Sequence, residues 1–275
     1  MSVAALACSV RGCGLPLTQR ERALVCPAGH SFDIARSGYI NLLQPQDRRS
    51  LSAGDSQAAV EARAALEESG VGRAVIDAII HTTAALRLPA DAIAVDLGSG
   101  TGEMLGGLAK AGPISGIGID LSVAAAELGA RRFPSLTWIV ANADRRLPLQ
   151  DDSVDVVLSI HGRRNPAECR RVLTPAGVLI VVLPAADDVI ELRTVVQGEG
   201  VERNRIDAML VEHAAGFTVV ERLPIREQLT LERSALLNLL RGTYRGARFK
   251  LSERVEAMER MDVTLSSEMC VLRKM

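Results

Sequence analysis

The sequence predicts an α/β protein, a doubly wound parallel sheet preceded by a small cysteine-rich module, and three observations carry that expectation. Ile93 to Gly102 read I-A-V-D-L-G-S-G-T-G, an apolar run with an acidic residue and three glycines at alternate positions. That is a strand, a glycine loop and then, from Glu103 to Ala111, a helix. Two more short apolar runs follow at strand–helix spacing, Ile114 to Ile119 before Asp120 and Thr137 to Ala141 before Asn142-Ala143-Asp144. Finally, three of the five cysteines fall within the first 26 residues.

Taken along the chain, the cysteines come first. Cys8-x4-Cys13, twelve residues, then Cys26-x3-His30 supply three thiolates and one imidazole, the donor set of tetrahedral zinc. Gly12, Gly14, Pro27 and Gly29 give the tight turns that let backbone N–H groups point at sulfur. No acid/base pair lies nearby, so the zinc is expected to be structural; the x4 spacing leaves the alternative that Cys8 is free. Phe32, Ile34, Tyr39, Ile40, Leu42 and Leu43 complete a module of residues 1–43, too small to bury a core without metal.

Residues 44–72 read as a linker and a connecting helix. Gln44 to Asp55 is polar, Asp55 or Ser56 caps a helix running to about Ser69 with Ala59, Ala62, Ala65 and Leu66 on one face, and Gly70 ends it. Residues 73–275 hold the main domain. Its strands one to three are the runs already described; strand four is expected over Val154 to Ile160. Strand five, Val178 to Leu183, follows a Thr174-Pro175-Ala176-Gly177 turn. A helix over Ile206 to Ala215, strand six over Phe217 to Leu223, a helix over Leu231 to Leu240 and strand seven over Asp262 to Leu272 complete the list. Cys169 and Cys270 are expected to be core thiols, and His81 and His213 packing or surface residues.

The ligand of the glycine loop follows from spacing. A dinucleotide site keeps G-x-G-x-x-G, whereas Gly98, Gly100 and Gly102, with Ser99 and Thr101 between them, form G-x-G-x-G after Asp96. Asp120 stands where a carboxylate at the tip of strand two accepts both ribose hydroxyls, with Leu121 beside it, and Asn142, Ala143 and Asp144 face an adenine edge. This pattern resembles the class I S-adenosylmethionine-dependent methyltransferases, which implies a Rossmann-like seven-stranded sheet and S-adenosylmethionine as cofactor.

Composition narrows the partners. A net charge of −1 gives no global preference for nucleic acid, so RNA would meet local patches: Arg163, Arg164, Arg170 and Arg171, or Arg241, Arg245, Arg248 and Lys250. Each patch is equally readable as a solvated face in an arginine-rich chain. No run of 18 apolar residues occurs and Met1 to Ala7 lacks a basic leader, so a cytoplasmic protein without a membrane partner is expected, with a homodimer left open.

The phrases Cys26-Pro27-Ala28-Gly29-His30-Ser31-Phe32-Asp33, Gly38 to Leu43, Gly54-Asp55-Ser56, Ala62-Arg63 and Arg146-Leu147-Pro148-Leu149 resemble the RlmA family of ribosomal RNA guanine-N1 methyltransferases. The resemblance implies a zinc module that helps grip 23S rRNA, methylation of a guanine N1 in a hairpin loop and, in some members, macrolide resistance. The chain departs from that family after strand four, where His161-Gly162-Arg163-Arg164-Asn165-Pro166 replaces an aromatic and a proline, and after Gly70, where an aromatic is missing. A small-molecule methyltransferase using the module as a lid is the alternative, and a zinc-ribbon interaction protein with a vestigial cofactor fold a third. His161 is the candidate to take the N1 proton, or else a strand cap touching cofactor; Arg163 or Arg164 is the candidate to hold O6 or a phosphate. Tyr39, Tyr244 and Phe249 are the few aromatics placed to stack on a flipped base.

Overall fold

The computed structural model describes residues 3–47, 54–197, 205–242 and 255–275. Tyr244, Arg245, Arg248, Phe249 and Lys250, singled out above, lie outside them, as do residues 48–53 of the linker.

The N-terminal module folds into three short antiparallel strands, β1 (Thr18–Arg20), β2 (Ala23–Val25) and β3 (Ser31–Asp33), with β2 central. A fourth, β4 (Ile40–Asn41), leaves the module and pairs in parallel with the main sheet. The connecting helix α1 (Gln57–Glu68) begins at Ser56, whose side chain accepts from the Ala59 amide at 3.3 Å. Gly70 stands just beyond it at φ +86°, where a left-handed residue ends a helix cheaply. Helix α2 (Arg73–Ala85) follows.

The main sheet then winds in parallel through β5 (Ile93–Leu97), α3 (Glu103–Ala111), β6 (Ser115–Asp120), α4 (Val123–Arg132), β7 (Thr137–Val140), β8 (Val154–Ile160), α5 (Pro166–Val172) and β9 (Leu173–Pro184). Helices α6 (Ile190–Gln197) and α7 (Ile206–His213) lead into β10 (Phe217–Glu232), α8 (Arg233–Arg241) and β11 (Arg260–Lys274), the last strand lying antiparallel between β10 and β9. The order across the sheet is β10-β11-β9-β8-β5-β6-β7-β4.

Eight strands therefore replace the seven expected. The extra one is β4, with Ile40 opposite Ile139 and Asn41 opposite Val140. Two residues carry too little periodicity to read as a strand; the free edge of β7 makes them one. Two smaller differences have the same origin. Thr174 to Gly177 sits inside β9 as a break in register, the pairing passing from Val154↔Leu173 to Val156↔Val178. β10 runs on to Glu232 because β11 pairs with it along its length.

The two faces of the sheet bury separate cores, as alternation along the strands requires. Val95, Leu97, Ile117 and Ile119 point to one face, where they meet Leu6, Leu17, Leu24, Ile40 and Leu42 of the module and Cys169 and Met209 of α5 and α7. Ala94, Val156 and Ile180 point to the other, beneath Ile79 of α2 and Leu105 and Leu108 of α3. The module thus does not stand apart. Its apolar residues are continuous with the sheet's core, and Ala7 donates to the Pro148 carbonyl at 2.9 Å.

Tyr39 is half-buried against the second core, which removes it as a free stacking platform. Cys169, Cys270 and His213 are buried. Among the described residues no helix is long and apolar enough to cross a membrane.

Candidate active site and metal centre

β5 lies between β6 and β8, so its C-terminal end opens on the deepest part of the sheet's edge. There the chain turns through Gly98, Gly100 and Gly102 at φ of +80°, +51° and +84°, conformations that cost a residue with a Cβ roughly 1–2 kcal/mol. A Cβ at Gly98 would find nothing nearer than Gly162 Cα at 3.7 Å, and one at Gly100 nothing nearer than 4.0 Å. Their bare faces are open to a ligand. Gly102 differs from the expectation: a Cβ there would stand 2.4 Å from Trp138. Gly118 and Gly129 meet the same ring at 2.4 and 2.6 Å, so the third glycine serves the indole rather than a ligand. Long-range packing of this kind has no local signature, although a lone Trp among glycine-rich elements hints at it.

Asp120 ties the loop to β6. Its Oδ2 accepts from the Gly100 amide at 2.9 Å and its Oδ1 from the Ser122 amide at 2.8 Å. Burial raises its carboxyl above the usual range, with those two amides pulling the other way. Asp96, also buried, has no partner for Oδ1, and burial together with the charge of Asp120 pushes its carboxyl up to about 7. Ser99 Oγ is a second buried atom without a partner. Unpaired buried polar atoms are uncommon and costly; Asp96 adjoins the two open glycines in the chain, whereas Ser99 Oγ lies against Gly118 beside the Trp138 ring. The donor set fits S-adenosylmethionine: a carboxylate for a cationic centre, bare backbone for its chain, and Asp120 for ribose hydroxyls.

Leu121 and Ser122 sit beneath the strap Gly54-Asp55-Ser56, which the sequence offered only as a phrase. A Cβ at Gly54, φ +90°, would lie 2.6 Å from the Ser122 amide nitrogen, and Ser122 Oγ donates to the Asp55 carbonyl at 2.7 Å. One helix further on, Thr101 Oγ1 donates to Glu67 of α1 at 2.5 Å, and Arg132 bridges Glu103 at 2.7 Å and Glu67 at 3.5 Å. The connecting segment is thereby anchored to the glycine loop.

On the opposite side, Asn142 Oδ1 accepts from the Asp144 amide at 3.0 Å, while its Nδ2 donates to the Asp47 carbonyl at 2.8 Å. Ala143 lies half-buried between them. Arg163, mostly exposed, pairs with Asp144 at 3.1 Å. Arg164 turns inward instead, its Nε donating to His213 Nε2 at 3.3 Å while His213 Nδ1 contacts the Met209 carbonyl at 2.8 Å. That removes Arg164 from the rim, where the sequence had placed it as an alternative to Arg163. His161 follows β8 directly, at φ +51°, a left-handed conformation uncommon outside glycine and often found at functional sites. Its Nε2 is 2.9 Å from Ser267 Oγ. The ring is reachable from solvent yet crowded by protein, and that desolvation, with the charge of Arg205, lowers its pKa to about 4.

The four zinc candidates converge: the ligating atoms of Cys8, Cys13, Cys26 and His30 all lie within 4.8 Å of one another. Cys8 and Cys26 Sγ each stand 3.4 Å from His30 Nδ1, and Cys13 and Cys26 Sγ are 3.9 Å apart. A tetrahedron with Zn–S of ~2.3 Å has edges of ~3.8 Å, so the set matches the ion. Cys8 is in the cluster, which answers the doubt raised by its x4 spacing. Burial pushes the Cys26 thiol up, but the amides of His30 and Ala28 outweigh it and bring it down to about 7.

Two family models match the chain: the RlmA N-terminal zinc ribbon over residues 7–51 and a methyltransferase domain over residues 94–177. Among curated proteins, the 23S rRNA (guanine(748)-N(1))-methyltransferase of Streptomyces fradiae is 34% identical over 226 residues, 82% of this chain and 80% of that protein. YxjB of Bacillus subtilis is 34% identical over 230 residues, 81% and 80% of the two chains. Among solved structures, YcgJ of Bacillus subtilis superposes with a TM-score of 0.51 at 14% identity, covering 73% of this chain and 98% of YcgJ; at that distance only the fold is shared. With a zinc ribbon, a glycine cradle and kinship over four-fifths of its length, the chain belongs to the RlmA family of 23S rRNA (guanine-N1)-methyltransferases.

Proposed function

We propose that this protein transfers the methyl group of S-adenosylmethionine to N1 of a guanine in 23S rRNA. The observation that carries the reading is the buried Asp96 carboxyl, with its Oδ1 unpartnered, beside the open faces of Gly98 and Gly100, in a chain whose relatives are named for that reaction. When bound, S-adenosylmethionine supplies an electrophilic methyl on a sulfonium. Asp96, Ser99 and Asp120 would hold it, with Leu121 available to the ribose and Asn142, Ala143 and Asp144 to the adenine edge. Zinc, held by Cys8, Cys13, Cys26 and His30, is structural.

The acceptor nitrogen carries a proton that must leave as the N–C bond forms. His161 is the nearest candidate at the end of β8; with Nε2 engaged by Ser267, Nδ1 is the nitrogen left to receive it. An imidazole whose pKa is about 4 stays neutral and holds a proton only in passing, so alignment of acceptor and methyl supplies most of the rate. Arg163 at the rim can stabilise charge on O6 after exchanging Asp144 for the base.

The alternative acceptor is a small molecule, favoured by the segment His161 to Asn165 that differs from the family. Incubation with labelled S-adenosylmethionine and either naked 23S rRNA or a small-molecule extract decides between them: label in the RNA supports the proposal, and label only in the extract refutes it.

A further inference from the structure

Between the zinc knuckle and the chain leaving β7 lies a cavity of about 310 Å³, walled by Arg11, Arg145 and Arg146 and floored by Asn142. Its volume is at the lower end of small-ligand sites, ~300–1,000 Å³, room for a phosphate with its sugar. All three arginines are exposed and line it and, among the described residues, none has a carboxylate partner. Asp47, the one acidic residue in the lining, leaves the wall with an excess of positive charge. Gly14, at φ +66°, makes room for one of the three: a Cβ there would stand 3.4 Å from a terminal nitrogen of Arg146. A zinc ion held by three thiolates and an imidazole carries a net −1, which accounts for one neighbouring cation and not for three.

The floor of the cavity is also the adenine-edge wall. Asn142 lines the cavity, and two residues on Asp144 pairs with Arg163. A chain lying across that pair would therefore reach the cavity from the reacting centre. Arginine forks bind phosphate through paired N–H groups.

We propose that this cavity is a phosphate subsite for the RNA backbone, with Arg11, Arg145 and Arg146 gripping a phosphate near the methylated guanine. The proposal rests on the RNA reading above. It is tested with the full zinc-loaded chain and a labelled 23S rRNA transcript, by measuring affinity against salt concentration for the wild type, the triple variant R11A/R145A/R146A and the milder R146K. Each phosphate neutralised contributes about 0.7–0.9 to the salt slope, so the triple variant, having lost its grip on one phosphate, should lose about that much from the slope and bind roughly tenfold or more weakly. R146K should keep most of the slope while binding less tightly. S-adenosylhomocysteine affinity and one zinc per chain should stay as in the wild type. An unchanged slope in the triple variant overturns the proposal. So does loss of zinc from R146K, since the arginines would then serve the metal. If the wild type itself binds no RNA, the functional reading falls first, a result that comparison of variants would not mimic.

Discussion

The Asp120 carboxylate at the tip of β6 accepts the Gly100 amide at 2.9 Å, so the residue we propose for the ribose also holds the glycine loop in its open shape. One substitution should therefore damage the site twice. A hydrogen bond to a charged group contributes ~1.5–3 kcal/mol, and D120A is expected to weaken S-adenosylhomocysteine binding by roughly 10- to 100-fold or more, with folding preserved. Calorimetry measures it; wild-type affinity would show that the cofactor lies elsewhere.

Asp96 gives a pH dependence. Its carboxyl is pushed up to about 7 in the folded chain from an ordinary value of 3.8, so between those values the folded state binds the extra proton. The ligand-free protein then loses stability as pH rises from 4 towards 7, and above 7 the whole cost is present. D96N should melt several degrees higher than wild type at pH 8, the two converging as the pH falls to about 4. Affinity for S-adenosylmethionine should rise with pH across 6 to 8 in the wild type and stay flat in D96N. Thermal melts and titrations across that range check both; parallel melting curves would place the charge elsewhere.

Gly102 and Gly112 form a matched pair. A Cβ at Gly102 would meet Trp138 at 2.4 Å at a φ of +84°, whereas one at Gly112 would meet nothing within 4 Å. G102A should cost ~2–4 kcal/mol, combining overpacking with left-handed strain, and G112A close to nothing. Urea denaturation separates them. Equal, small losses would mean that Trp138 moves aside freely.

C26S should release zinc. Because Leu6, Leu24, Ile40 and Leu42 share a core with the sheet, the effect should spread beyond the first 43 residues, lowering Tm by roughly 5–10 °C and exposing β7 amides at the β4 edge to hydrogen exchange. Retention of one zinc per chain would reject the ligand set.

What the sequence made legible was local. The G-x-G-x-G spacing, the carboxylate ending each of the first two parallel runs and the Cys/His ladder each fix chemistry within a few residues, and the structure brings each set together. What it hid was long-range: β4 joining an edge a hundred residues away, Trp138 filling a space made by Gly102, Gly118 and Gly129, and Arg164 turning in to His213. Each depends on a partner that no window of the sequence contains. The cavity beside the knuckle is of the same kind, because Arg11 and Arg146 meet only once the module has docked on the sheet.

The most direct test of the central claim is reverse transcription of 23S rRNA, taken from a strain lacking this protein, after incubation with the purified chain and S-adenosylmethionine. Methylation at N1 blocks Watson–Crick pairing, so a new stop next to one guanine is expected, dependent on the donor and much weaker with D120A at donor concentrations that half-saturate the wild type. Full-length products under every condition, from protein that binds the donor, would contradict the account.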